Sequence, residues 1–186
     1  MRHHFWTVLF GIVFIFSAIR EHQFVLIYYT VWTFILELVY FLCKSLNLSS
    51  IADILWPFLL APSIVVCVGF WIIVAPMQFM HHPPENIVMV FVTHGLNMVA
   101  AILEKKKVFL KDIWKPILYT TLYNTFLAIY VGGGGRSISG KLPYWYAQYD
   151  QPIGWVFAAL AVAATGITHF IIAVPEPTQI SKQYIV

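Results

Sequence analysis

Three side chains suited to chemistry fall at one level of an otherwise apolar sequence. Thr30, His94 and Asn124 each lie about seven residues from the same end of a different apolar segment, which at a rise of ~1.5 Å per residue sets all three roughly 10 Å below one membrane face. A histidine is costly in hydrocarbon, so an intramembrane His94 is a functional hypothesis by default. Its imidazole can accept a proton near neutral pH, whereas Thr30 by itself is an ordinary residue at a helix contact. Within the stretch Phe91-Val92-Thr93-His94-Gly95-Leu96-Asn97, Asn97 stands one turn beyond His94 on the same helix face. Asn97, Tyr123 and Asn124 are the candidate donors to an oxyanion, or lining groups for a substrate. The same residues also admit a plain structural reading, as interhelical polar contacts of about 0.6 kcal/mol each.

Other chemistries fit less well. His94 and His169 are the intramembrane histidine pair, but His169 falls ~13 Å deeper than His94, too far for one haem iron to be clamped between them. It reads as an interfacial or packing residue. His81-His82 stand in a Pro-rich loop without further ligands nearby in sequence, so no metal or cofactor is expected. Glu37 is the carboxylate well inside a segment, and reads either as a proton relay or as a protonated acid packed against a polar neighbour. Cys43 and Cys67, the two cysteines, suggest neither a disulfide framework nor a thiolate site. Gly135 to Lys141 approaches a phosphate-binding loop, but Leu142 occupies the place of the magnesium-binding hydroxyl and a helix precedes the run.

The elements that must position these residues are membrane helices. Hydrophobic residues form 60% of the chain, charged residues 10%, and the mean hydropathy is +0.79, the composition of a membrane protein. Six apolar segments emerge, from Phe5 to Ile19, Phe24 to Cys43, Ile51 to Ala75, Ile87 to Leu103, Ile113 to Val131 and Ile153 to Val174. The first is short for a span and reads as a retained helix rather than a cleaved signal, since Ile19-Arg20-Glu21 offers no small-residue cleavage pattern. Ser50 or Asp53 is expected to cap the third helix, and Trp56-Pro57 and Pro62 to bend it.

Six crossings put both termini on one side, together with Arg2, Lys44, Lys105, Lys106, Lys107, Lys111, Lys115 and Lys182, against Arg20, Arg136 and Lys141 on the other. By the positive-inside rule that side is cytoplasmic. The expectation is therefore an all-α polytopic membrane protein, residues 1–186 forming one bundle of six transmembrane helices with both termini cytoplasmic. Lys105, Lys106 and Lys107 fix this topology and are placed to contact anionic lipid. With the basic residues confined to one short loop and no folded platform behind them, nucleic acid is not an expected partner. Asn47-Leu48-Ser49 matches a glycosylation pattern but lies on the cytoplasmic side. The Gly132 to Pro152 loop, with Pro143-Tyr144-Trp145-Tyr146, has the amphipathic character of a membrane-surface segment.

Tyr28-Tyr29-Thr30-Val31-Trp32-Thr33-Phe34, followed by Glu37 and Tyr40-Phe41, resembles the second span of the androgen-induced/androgen-dependent membrane hydrolase family. Phe70-Trp71-Ile72-Ile73, His94-Gly95 and the Gly-rich loop with its Pro-Tyr are similar to the corresponding stretches of that family. The resemblance implies a six-span hydrolase cleaving fatty acid esters of hydroxy fatty acids, with membrane lipids as substrate. It implies Thr30 as nucleophile and His94 as base. Thr33, one turn deeper, is the competing hydroxyl, and the spacing to Tyr40-Phe41 favours Thr30. Asn97 departs from the family, where a second histidine is frequent. The alternative is a non-catalytic multi-pass adaptor whose polar cluster only stabilises helix packing.

Overall fold

The computed structural model describes residues 2–21, 26–76, 79, 87–137, 140–144 and 146–175. His81-His82, Trp145 and Lys182 lie outside the described residues. Among those described, six α-helices form in the expected order: α1 Arg2–Glu21, α2 Tyr29–Ser45, α3 Ser49–Gly69, α4 Ile87–Glu104, α5 Trp114–Gly132 and α6 Pro152–Ile172. Segments of α1, α3 and α6 are long and apolar enough to cross a membrane, over Arg2–Ile19, Ser49–Val74 and Pro152–Ile172. The first helix is thus longer than its apolar run suggests, because Arg2, His3 and His4 continue it. α2, at 17 residues, is shorter, and α5 is less apolar than α3 and α6; both carry polar residues, Thr30, Thr33 and Glu37 on α2, Thr120 and Asn124 on α5. α4 holds His94 and Asn97 within an 18-residue apolar helix.

α3 is the central helix, packed against α2, α4, α5 and α6. It follows α2 through Leu46, Asn47 and Leu48, with Asn47 at φ 60°, a left-handed turn that Asn tolerates better than most residues. Neither Ser50 nor Asp53 caps it. The N-cap position is Leu48 without a side-chain bond, and Asp53 is ion-paired to Lys106 instead. Pro57 and Pro62 are buried inside α3, which runs on through both. The helix then widens into a π segment, Phe70–Val74, where the Ala75 N–H donates to the Phe70 carbonyl.

The bundle has two chemically distinct ends. At one, Glu104 gathers α1, α2 and α4, accepting from Arg2 Nη2 at 2.9 Å and from the Tyr40 hydroxyl at 2.9 Å. Val174 pairs with Phe109 at this same end, so the start of α1 and the end of α6 lie together with Lys105, Lys106 and Lys107. At the other end the Gly-rich loop folds back onto the helices rather than standing clear of them: Ala147 is fully buried and Tyr144 reaches the start of α2. That docking depends on Gly154 in the first turn of α6. A Cβ there would lie 2.6 Å from the Gln148 carbonyl oxygen and 2.9 Å from the Tyr149 nitrogen, both backbone atoms. Gly154→Ala is therefore expected to cost about 2–3 kcal/mol through overpacking, measured as a lower unfolding temperature in detergent; an unchanged value would mean that the loop is not docked as described.

A second tie joins α2, α5 and α6 within the bundle. Tyr29, Thr120 and Thr165 hydroxyls follow one another at 2.7 and 3.2 Å, and Thr165 donates to the Ala161 carbonyl at 2.8 Å. Each hydroxyl then donates once, a fully satisfied buried chain.

Candidate functional site

Thr30 sits in the first turn of α2, because that helix starts at Tyr29 and not near Phe24 as its apolar run suggests. Tyr28 is extended, with φ −101° and ψ 129°, and its carbonyl accepts from the Val31 and Trp32 N–H groups. The Tyr29 N–H, an orphan donor at a helix start, donates to the Tyr144 hydroxyl at 3.0 Å. Side chains on adjacent helix positions point about 100° apart. Hence Tyr29 faces Tyr119 and Tyr123 on α5, while Thr30 faces His94 on α4.

Thr30 Oγ1 lies 3.2 Å from His94 Nδ1. Thr30 is 8% exposed, and His94 is half-buried. The separation is at the upper edge of the range for a hydroxyl nucleophile and its base. For His94 to take the Thr30 proton, Nδ1 must be the unprotonated nitrogen and Nε2 must carry the ring hydrogen. Thr33 is placed differently: fully buried, it donates to the Tyr29 carbonyl at 3.1 Å, a bond within its own helix. Of the two competing hydroxyls, Thr30's is the one at the imidazole.

A positioning group that sequence reasoning misses is Phe70. Its ring lies face to face with His94, with centroids 3.5 Å apart and planes 2° from parallel. Phe70 opens the π segment of α3, and such segments shift the facing of side chains by inserting a residue into the helical ladder. His94 is thereby oriented by a stacked ring, not by a carboxylate. The depth count reaches Phe70 as well as His94, but an aromatic residue in a span carries no signal of its own.

The three oxyanion candidates are placed unequally. Asn97 is fully buried and neither atom of its amide has a hydrogen-bond partner among the described residues, so it does not orient the imidazole. The Tyr123 hydroxyl donates to the Ile27 carbonyl at 2.8 Å, and its ring packs 4.7 Å from that of Tyr29. Asn124 Nδ2 donates to the Thr120 carbonyl of its own helix at 2.9 Å. Tyr123 thus joins α5 to the chain around Tyr29, while the Asn124 bond stays within α5.

The remaining ionisable residues have structural partners. Glu37 is fully buried with Ser63 Oγ 2.6 Å from its Oε1. His169 is fully buried and its Nε2 lies 3.0 Å from the Phe109 carbonyl, near the basic end of the bundle. Lys106 pairs with Asp53, and its carbonyl accepts from Trp56 Nε1 at 3.2 Å, which leaves Lys105 and Lys107 exposed. Among the described residues no three His, Cys, Asp or Glu side chains converge as metal ligands would.

An apolar groove of about 280 Å³ runs between α2 and α5, lined by Leu26, Trp32, Ile35, Leu36, Val39 and Phe126 with Tyr119. At about 100° per residue, its α2 residues lie on the face opposite Thr30, so the groove is not part of the Thr30/His94 site. Comparison with known proteins finds no matching family model, no matching curated protein and no matching solved structure.

Proposed function

We propose that this chain is an integral membrane hydrolase of lipid acyl esters, with Thr30 as nucleophile and His94 as general base. The observation that carries the reading is the 3.2 Å contact between Thr30 Oγ1 and His94 Nδ1, in a bundle whose apolar helices suit acyl chains. Six crossings with both termini cytoplasmic are part of the proposal. Arg2, Val174 and the exposed Lys105 and Lys107 at one end of the bundle support it, with the lysines facing anionic headgroups. The substrate class implied by the resemblance is the fatty acid ester of a hydroxy fatty acid. Its chains suit the apolar outer faces of the bundle, where large hydrocarbon side chains of α1, α3 and α6 are exposed.

In the acylation step Thr30 Oγ bonds the ester carbonyl carbon and its proton passes to His94 Nδ1. The adduct then releases the alcohol half of the ester, which takes that proton from His94. Charge on the carbonyl oxygen is stabilised by donors fixed in a low-dielectric site. Tyr123 and Asn124 donate elsewhere, and the Tyr29, Val31 and Trp32 N–H groups are engaged by the Tyr144 hydroxyl and the Tyr28 carbonyl, so the backbone donor left in the first turn of α2 is the Thr30 N–H. The adaptor alternative draws on the same close packing: Phe70, His94 and Thr30 fit tightly, and neither Thr30 nor His94 lines the groove.

An alkyl fluorophosphonate separates the two readings. Thr30 Oγ bonds phosphorus, fluoride leaves and His94 takes the proton. One adduct on the Thr30 peptide is expected in the wild type, absent from Thr30→Ala and strongly reduced in His94→Ala. No adduct in the wild type, or equal labelling of all three proteins, refutes the hydrolase reading.

A further inference from the structure

Two buried groups beneath the Thr30/His94 pair are left incompletely bonded among the described residues. Asn97 is fully buried, yet neither its Nδ2 nor its Oδ1 has a partner; Glu37 is fully buried and its Oε2 has none. Its other oxygen is engaged: Ser63 Oγ donates toward Glu37 Oε1 at 2.6 Å and toward the Leu59 carbonyl at 2.8 Å.

The helix registers place these groups in a column. α3 ties two levels, with Phe70 on His94 and Ser63 on Glu37, roughly 10 Å apart along the axis. Asn97 lies ~4.5 Å beyond His94, within one water of the imidazole level, whereas Glu37 lies a further ~6 Å down, too deep to touch a water that reaches Thr30. An orphaned buried amide costs about 1–3 kcal/mol. A buried water satisfies such groups, and Asn97 Nδ2 and Oδ1 offer it a donor and an acceptor on the His94 face of α4.

We propose that Asn97 holds the water that hydrolyses the acyl-Thr30 ester. This rests on the Thr30/His94 reading and adds the deacylation step. The water oxygen bonds the acyl carbon while its proton passes to His94 Nδ1. The carbon–Oγ bond then breaks, Thr30 takes the proton back and the fatty acid leaves. Asn97 is a positioning residue in this scheme, acting through the water.

The test is the fraction of enzyme trapped as acyl-Thr30 during turnover of a long-chain p-nitrophenyl ester, by acid quench and peptide mass spectrometry. Asn97→Leu is expected to lower steady-state turnover about 10- to 100-fold, keep acylation within about threefold, and raise the trapped fraction toward one per chain. Its unfolding temperature is expected to hold or rise, since an unpaired amide has been removed. Asn97→Ser, which keeps a donor and an acceptor and leaves room for water, is expected to restore a low trapped fraction. Glu37→Gln, one level deeper than the water, is expected to stay within about threefold of the wild type. Turnover lost in Asn97→Leu without acyl-Thr30 accumulating, or no change in either quantity, overturns the water site. A wild type that hydrolyses nothing, or hydrolysis that persists in Thr30→Ala, overturns the Thr30/His94 reading itself.

Discussion

Thr30→Ala and His94→Ala are each expected to lower turnover of a fatty acid ester of a hydroxy fatty acid by about 10³- to 10⁴-fold, some 4–5.5 kcal/mol of lost transition-state stabilisation. The double variant is expected to lose little more than either single one. A nucleophile and its base act as one unit, so removing the second partner finds nothing left to remove. The 3.2 Å contact between Thr30 and His94 is the reason to expect this non-additivity. Thr33→Ala is the internal control. Its hydroxyl is committed to the Tyr29 carbonyl, so turnover should stay within about threefold of the wild type. The adaptor reading expects both single variants to lose an interhelical contact of about 0.6 kcal/mol with no turnover to remove, so turnover is what separates the two readings. Release of the two acids, quantified by mass spectrometry from purified protein, is the measurement. Equal release by wild type and both single variants would end the hydrolase assignment.

The Thr30/His94 pairing is legible in the sequence because depth is a one-dimensional quantity that sequence carries well. What sequence carries poorly is azimuth. Tyr123 and Asn124 share the depth of His94, yet they are engaged with Ile27 and with Thr120, since rotation about a helix axis decides which neighbour a side chain meets. The start of α2 is misplaced by its sequence for a related reason: the apolar run from Phe24 reads as helix, whereas Tyr28 is extended. Phe70 is hidden twice over, by the ordinariness of an aromatic residue in a span and by a π segment that interrupts helical periodicity. The Glu37/Ser63 pair is half legible. Glu37 stands out as an acid in need of a polar neighbour, and its partner follows once α3 is registered against α4 through Phe70. Among the six helices, α2 and α5 stand out least as spans, and they carry Thr30 and two of the oxyanion candidates. The polar residues there weaken the hydropathy that announces a span.

Trp56→Ala is expected to have the largest effect on stability, about 3–5 kcal/mol. Trp56 is 1% exposed on the central helix, its ring lies 5.3 Å from that of Tyr40, and its Nε1 donates to the Lys106 carbonyl at 3.2 Å. Truncation removes a large buried side chain where α2, α3 and the basic loop meet, and a helix carrying two buried prolines is poorly placed to collapse into the void. Trp56→Phe separates the terms, keeping most of the hydrocarbon and losing only the N–H bond, at a cost of about 1 kcal/mol. The catalytic pair should survive both changes when folded, because Phe70, which plates His94, stands ~21 Å farther along the same helix axis. Thermal unfolding in detergent should therefore order the proteins as wild type, Trp56→Phe, Trp56→Ala, while turnover well below each transition stays within about threefold. Turnover that falls in folded Trp56→Ala as far as in His94→Ala would show that α3 transmits strain from the basic end to the site. An unfolding temperature equal to that of Trp56→Phe would show that the ring's burial contributes little and that the basic end is held chiefly by Glu104, Arg2 and Tyr40.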